Sequence, residues 1–281
     1  MSGALYVVST PIGNLGDITR RAAETLGAAD RVAAEDTRRT RALLSHLGIS
    51  GKPVVKLDAH AGDRIIDELV AHLDGGESIA LVTDAGTPSV SDPGTELVRR
   101  AAERGVAVIA VPGPSAVTAA VAVSGLVDGP FLFLGFLPRK GEKRQRYLRR
   151  IAGAKEPVIL FEAPNRIRDT LTDLAAVAPA RAACVARELT KMHEELLRGT
   201  LVELAARDIM ERGEFTVVVA GNGEPEPADD VDLDALVEAR LGSGDSARTI
   251  ADDVAEVSGR PKREVYARVL ELRKGRGEGD G

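Results

Sequence analysis

The chain has 281 residues, 44% of them hydrophobic, a formal net charge of -6, and only 3% aromatic residues with no tryptophan. That length and apolar content predict a globular protein of about two domains with a sizeable core. The acidic balance excludes a protein that coats nucleic acid through general basic surface, and the scarcity of aromatics leaves no evident stacking platform for bases.

The N-terminus runs directly into the strand-like Ala4-Leu-Tyr-Val-Val8, so no signal peptide is expected. No apolar stretch approaches the roughly 18 residues of a membrane span. A cytoplasmic location without membrane partners is the expectation. The single cysteine, Cys184, lies in the apolar run Ala182-Ala-Cys-Val-Ala186 and is expected as a buried strand residue, with no part for disulfides.

A first strand is predicted over Leu5 to Ser9. Asp17 is expected to cap a helix with Ile18, Ala22 and Leu26 on one face. A short strand follows at Val32-Ala-Ala34, then a helix capped by Thr37 with Leu43, Leu44 and Leu47 apolar, ended by Gly48. Val54 to Leu57 reads as a third strand, Asp63 to Leu73 as a helix, and Ser78 to Thr83 as a fourth strand. A helix over Glu96 to Glu103, the strand Val106 to Val111 and a helix after Pro114 close this half near Leu126. Apolar strands alternating with amphipathic helices predict a mostly parallel sheet.

Beyond residue 126 the rhythm changes. Five strands, Phe131 to Phe136, Pro157 to Glu162, Ala182 to Glu188, Glu194 to Arg198 and Phe215 to Gly221, are separated by only three helices. The adjacent pair flanking Thr190-Lys-Met-His193 favours antiparallel pairing and a mixed sheet. The expected organisation is an α/β domain over 1–126, a second α/β domain over 127–221, an acidic Pro/Gly-rich linker over 222–232 and a small helical region over 233–281. In that last region Ile250, Val254 and Val257 share one helix face, Ser258-Gly259 makes a break, and Val265, Val269 and Leu272 share the next.

Three glycine- and proline-rich turns each follow a predicted strand: Thr10-Pro-Ile-Gly-Asn-Leu-Gly-Asp17, Asp84-Ala-Gly-Thr-Pro88 with Asp92-Pro-Gly94, and Pro112-Gly-Pro-Ser-Ala116. Glycine admits close backbone approach and proline fixes the loop, so three such turns can build one rigid pocket. Ligands of open α/β sheets bind at the carboxyl ends of strands. A small, polar, nucleotide-like ligand held mainly by backbone is expected. The Gly-Lys-Ser/Thr of a P-loop is absent, and the first turn lacks the full Rossmann glycine pattern. Four scattered histidines and one cysteine offer no zinc constellation, so no metal is expected.

These turns, together with Ala34-Glu-Asp-Thr-Arg38 and Ser91-Asp-Pro-Gly94, resemble the tetrapyrrole-methylase-type methyltransferases. Gly135-Phe-Leu-Pro-Arg-Lys140, Phe161-Glu-Ala-Pro-Asn165 and Ala186-Arg-Glu-Leu-Thr-Lys191 with Arg198-Gly-Thr200 are similar to the branch that methylates small-subunit ribosomal RNA. The resemblance spans about Leu5 to Gly221. It implies two α/β domains with a donor cleft between them and S-adenosylmethionine as methyl donor. It further implies the 2'-hydroxyl of a 16S rRNA cytidine near the ribosomal P site as acceptor, and a homodimer. DNA is not an expected partner. By motif position, Pro11, Gly13, Asp84, Ala85, Gly86, Pro88, Pro114, Ser115 and Ala116 are the expected donor-binding residues. Two departures stand out: Leu57-Asp-Ala-His60 replaces a His-rich Tyr-His-Glu-His stretch, and Asn165 stands where histidine is common. Catalysis is therefore not assigned to a histidine.

A ribose hydroxyl is a poor nucleophile at neutral pH, so a carboxylate or neutral amine within hydrogen-bond reach would assist it. Glu35, Asp36, Glu162, Glu188 and Lys191 stand at strand ends or in the loops after them, and Glu188 with Lys191 is the preferred pair. Arg139, Lys140, Arg144 and Arg146 form the expected RNA-contacting strip, a solvated helix face being the alternative. The basic C-terminal residues suit either an RNA grip or a packed helical pair. Two other functions stay open at this level: methylation of a tetrapyrrole or other small acceptor, and a non-catalytic RNA-binding relic.

Overall fold

A computed structural model describes residues 3–222, 233–241, 245–258 and 260–277. Apart from Asn222, the segment read as a linker lies outside the described residues, as does Gly259 of the C-terminal break.

The first half alternates without exception: β1 (Ala4–Val8), α1 (Arg20–Ala28), β2 (Arg31–Ala34), α2 (Thr37–His46), β3 (Val54–Lys56), α3 (Asp63–Asp74), β4 (Ile79–Val82), α4 (Thr95–Glu103), β5 (Ala107–Val111) and α5 (Ala116–Ser124). All its strand pairs are parallel, in the order β3-β2-β4-β1-β5. Every residue of β4 is buried because helices cover both faces. Ile79 and Leu81 meet Leu69, Leu73 and Leu97 from α3 and α4, while Ala80 and Val82 meet Ala22, Leu26 and Leu44 from α1 and α2. Each large aliphatic side chain so buried contributes about 1.5–3 kcal/mol.

Two helix starts differ from expectation. Asp17 belongs to a 3-10 turn over Leu15–Asp17, and Ile18 after it is extended, so α1 begins later, with the Thr19 hydroxyl accepting from the Ala22 N–H at 3.1 Å. In α2 the cap is Asp36, one residue before Thr37. Its carboxylate accepts from the N–H groups of Arg38 and Arg39 at 2.8 and 3.4 Å. A carboxylate complements the positive end of the helix better than a hydroxyl does.

The second half contains β6 (Leu132–Phe136), α6 (Gly141–Gly153), β7 (Val158–Glu162), α7 (Ile167–Val177), β8 (Ala182–Arg187), β9 (Glu195–Thr200), α8 (Leu201–Ala206) and β10 (Phe215–Val219). Its strand order is β6-β7-β10-β8-β9, parallel between β6 and β7 and antiparallel elsewhere. One face of this sheet packs on α6, α7 and α8. The other, through Ile159, Cys184, Ala186 and Val218, packs on Val117 and Ala120 of α5 and on Ile12. The two halves are thus joined through α5 and Ile12 and form one compact unit over residues 1–222. Cys184 is fully buried, and burial pushes its thiol pKa up.

Residues 223–281 form a second unit. Its described part is three helices, α9 (Leu233–Leu241), α10 (Ala247–Ser258) and α11 (Lys262–Gly277), around Val237, Ile250, Val254, Val265 and Val269. Several basic residues of this unit are engaged within it, Arg268 with Asp234 and Lys262 with Asp252. That favours the packed helical reading of these residues. No described helix is long and apolar enough to cross a membrane.

Candidate active site

Strands β4, β1 and β5 are neighbours and run parallel, so the three glycine/proline turns emerge side by side at one edge of the sheet. They are fastened to one another. Thr10 and Gly86 exchange two backbone hydrogen bonds of 2.9 and 3.0 Å. The Thr10 hydroxyl donates to the Thr83 carbonyl at 3.1 Å, and the hydroxyls of Ser9 and Thr87 lie 2.9 Å apart. The Thr87 hydroxyl also reaches the Pro114 carbonyl, at 3.4 Å, and so joins the second turn to the third. Gly86 has φ +82° with Ile12 packed closely over it, and a side chain there would be strained.

A cavity of about 330 Å³ opens over these turns. Of the expected donor-binding residues, Ala85, Gly86, Ser115 and Ala116 line it. Phe136, Phe161, Glu162, Glu214 and Phe215 of the second half close the opposite side. The remaining expected residues sit around the cavity. Pro88 is buried beneath its loop and Pro114 accepts the Thr87 bond. Pro11 and Asp84 line a separate pocket with Arg39 and Thr40. Asp84 accepts from the Asp36 N–H at 3.0 Å and pairs with Arg39 at 3.4 Å, which ties the Ala34 to Arg38 segment to the second turn. Gly13 lies against the Lys191 side chain, where an added Cβ would fall 2.4 Å from Cγ.

The expected catalytic pair looks different in three dimensions. Lys191 Nζ is 2.6 Å from Glu188 Oε1 and 3.1 Å from Glu214 Oε2, and Glu188 Oε1 also accepts the Glu214 N–H at 3.0 Å. Burial opposes the charge on both partners, but these bonds outweigh it. Glu188 is held below its ordinary range and Lys191 above its own. Neither group lines the cavity, and an ammonium held by two carboxylates is no proton acceptor. In place of the free base expected of this pair, the structure has Glu188 and Lys191 as an ion pair that braces the loop after β8. Glu188 and Thr190 both have positive φ, 52° and 67°, and this brace holds a strained backbone.

The other expected carboxylates are engaged as well. Asp36 caps α2, and Glu35 accepts the Asp84 N–H at 3.2 Å. Glu162 is fully buried: it accepts from the Thr170 hydroxyl at 2.6 Å and from the Ala163 N–H at 2.8 Å, beside Arg166 at 3.3 Å. His60 is an exposed loop residue whose N–H bonds Asp58.

In the sequence Asp92 is only part of a turn. It lines the cavity, and burial, together with the negative charges of Glu35, Asp84 and Glu214, raises its pKa from 3.8 to about 6. The only sequence signal was its place in Ser91-Asp-Pro-Gly94. The carboxylates that perturb it stand just after β2, just after β4 and just before β10, a gathering that no local window shows.

Beside the cavity, and sharing Phe136 and Ala163 with it, lies a larger groove of about 880 Å³ bearing Arg139, Lys140 and Asn165. Arg146 is exposed on α6 but does not line this groove. Arg144 also lines this groove, but its guanidinium is already engaged. It bonds Asp173 at 2.7 Å, the Pro138 carbonyl at 3.0 Å and Thr170 at 3.0 Å, and the residue is only 6% exposed. Helix spacing puts Arg144 with Leu148 and Ile151 on the core face of α6. Among the described residues no group of three or more His, Cys, Asp or Glu is placed to hold a metal.

The sequence over residues 4–205 matches the model of the tetrapyrrole (corrin/porphyrin) methylases. The chain is also 43% identical over 275 residues to ribosomal RNA small subunit methyltransferase I of Halalkalibacterium halodurans, covering 94% of this chain and 93% of that one. The protein of the same name from Mesorhizobium japonicum is 44% identical over 282 residues, covering 99% and 95%. Among solved structures, the uroporphyrin-III C-methyltransferase of Thermus thermophilus complexed with S-adenosylhomocysteine superposes with a TM-score of 0.55 at 18% identity, covering 78% of this chain and 97% of that one. The fold is that of the tetrapyrrole methylases, and the chain belongs to that superfamily. Within it, identity over nearly the whole chain makes it a member of the ribosomal RNA small subunit methyltransferase I family.

Proposed function

We propose that this protein transfers a methyl group from S-adenosylmethionine to the 2'-hydroxyl of a cytidine in 16S rRNA. The observation that carries the reading is the cavity itself. Its floor is backbone from three mutually clamped turns, and its wall holds Asp92, a carboxylate shifted by burial and by like charges with no cation among the causes. A site with such a floor and negative charge at its wall fits a donor that is part nucleoside and part sulfonium cation. The names of the close relatives supply the acceptor class.

When bound, the donor supplies an electrophilic methyl group on a positively charged sulfur. Ala85, Gly86, Ser115 and Ala116 would hold it, with the turns already rigid before it arrives. Most of the rate in such a displacement comes from alignment and exclusion of water, which a preformed cavity provides. Asp92 takes the proton from the acceptor hydroxyl at its carboxylate. A pKa near 6 leaves it ionised at neutral pH yet more basic than an ordinary aspartate. Arg139 and Lys140 in the groove and Arg146 on α6 bind RNA phosphates.

The test is transfer of labelled methyl to small ribosomal subunits lacking the modification, followed by nucleoside mapping. Label on 2'-O-methylcytidine is the expected result. Label only on a small acceptor would move the reading to the tetrapyrrole branch.

The functional form is a homodimer in this reading. Strand β5 is a sheet edge, and Ala107, Val108, Ile109 and Ala110 are all exposed on it, an apolar strip that a second copy would cover. Light scattering is expected to give a dimer mass for the wild type and a monomer mass for Ile109→Lys. A wild-type monomer at micromolar concentration would remove the dimer from the proposal.

A further inference from the structure

The structure supplies the aromatic platform that composition did not suggest. Four of the five phenylalanines gather at the cavity: Phe136, Phe161 and Phe215 line it, and Phe133 packs edge-on to Phe161 at 5.0 Å between ring centres. Phe136 is tilted against the same ring at 5.6 Å. In a regular strand residues 133 and 136 would face opposite sides of the sheet. The β6/β7 register shifts between them and Gly135 takes φ +62°, so this irregularity turns both rings to Phe161. The turn lies close against the other half of the fold, where an added Cβ at Gly135 would fall 2.7 Å from the Ser91 hydroxyl oxygen.

Although it packs on Phe161, Phe136 is 53% exposed. It lines both the cavity and the groove beside it. On the groove side, Arg139 and Lys140 follow within four residues and have no hydrogen-bond or ion-pair partner among the described residues. The groove also carries Asp169 and Asp173, of which Asp173 is paired with Arg144. A flat apolar face adjoining two unpaired cations is a surface for one nucleotide, the ring taking the base and the cations its phosphates. A hydroxyl that must enter a concave cavity reaches it most readily from a nucleotide drawn out of its stack, which then needs a replacement stacking partner.

We propose that Phe136 is the stacking platform for the base of the acceptor nucleotide, extruded from the RNA, with Arg139 and Lys140 on its flanking phosphates. This rests on the reading that the acceptor is RNA. Phe136 is here a positioning residue that touches the base and takes no part in bond making.

The experiment compares Phe136→Ala, Phe136→Leu and Phe136→Tyr with the wild type in steady-state methylation of unmodified small ribosomal subunits. Calorimetric titration with S-adenosylhomocysteine runs in parallel. Expected is a rise of about 10- to 100-fold in KM for subunits with Ala and Leu. Recovery to within a few-fold is expected with Tyr, and donor-analogue affinity should not change in any variant. A Leu variant as active as the wild type would overturn the platform, leaving the ring as plain apolar lining. Parallel loss of S-adenosylhomocysteine binding would also overturn it, by assigning the ring to the donor's wall. Wild-type protein that methylates a small acceptor but no subunit would overturn the RNA reading and this inference with it. A silent Leu variant of an active enzyme would overturn this inference alone.

Discussion

Asp92→Asn is expected to lower the methylation rate by about 10²- to 10⁴-fold and, at pH 8, to make the protein more stable. Both effects come from one shift. Burial and three neighbouring carboxylates raise the Asp92 pKa from 3.8 to about 6, so the folded state prefers the neutral acid. The stabilisation belonging to that neutral form is complete below about pH 4. It is lost as the pH rises through about 6, and at pH 8 the ionised carboxylate opposes folding. Asparagine keeps the shape without the charge and is expected to add about 1–2 kcal/mol at pH 8 after allowance for partial exposure. The gain should vanish near pH 4. Thermal melts of both proteins across this range give the stability half of the test. In the wild type, kcat/KM for subunits should fall as the pH drops below about 6, because the protonated acid cannot accept the ribose proton. An Asn variant with wild-type kcat would remove Asp92 from the chemistry and leave it as one of several carboxylates around the donor.

Arg144→Met is expected to destabilise the protein by about 3–5 kcal/mol, and Arg146→Glu, two residues along the same helix, to leave stability almost unchanged. Arg144 bonds Asp173, the Pro138 carbonyl and Thr170. Thr170 in turn donates to the fully buried Glu162, whose other oxygen accepts the Ala163 N–H and lies beside Arg166. Removing the guanidinium leaves that connected set without its inner cation, and Glu162 lines the cavity. Arg146 is exposed. Its reversal is expected to weaken rRNA binding and flatten the salt dependence while donor affinity holds. Denaturant titration separates the two residues. Equal midpoints for Arg144→Met and the wild type would mean that the inward network contributes no net stability.

These two predictions mark how much of the site the sequence carried. The turns were legible because glycine and proline leave a local mark in the sequence; Ala85, Gly86, Ser115 and Ala116 within them were expected from the family resemblance by motif position, and they line the cavity. Asp92 and Phe136 could not be singled out. A carboxylate in a turn looks like any cap until its neighbours are known, and a phenylalanine in an apolar strand looks like core until an irregular register exposes it. Arg144 failed in the opposite direction. It stands among seven basic residues between 139 and 150, and the charge run hid its i, i+4, i+7 spacing with Leu148 and Ile151, the face that packs inward. Glu188 and Lys191 share a polar turn, as their spacing suggested, but Glu214, brought in by β10, neutralises the lysine as a base.

By itself the sequence determined the element order, the change from strict α/β alternation to paired strands after residue 126, and the three turns at strand ends. All of these depend on local periodicity and backbone freedom, which neighbours in the chain express. Tertiary structure alone decided that β4, β1 and β5 lie side by side, which joins turns separated by some seventy and a hundred residues into one floor. It also decided which charges and rings face the cavity, because burial, electrostatic coupling and strand register are properties of distance in space. Separation along the chain does not encode them.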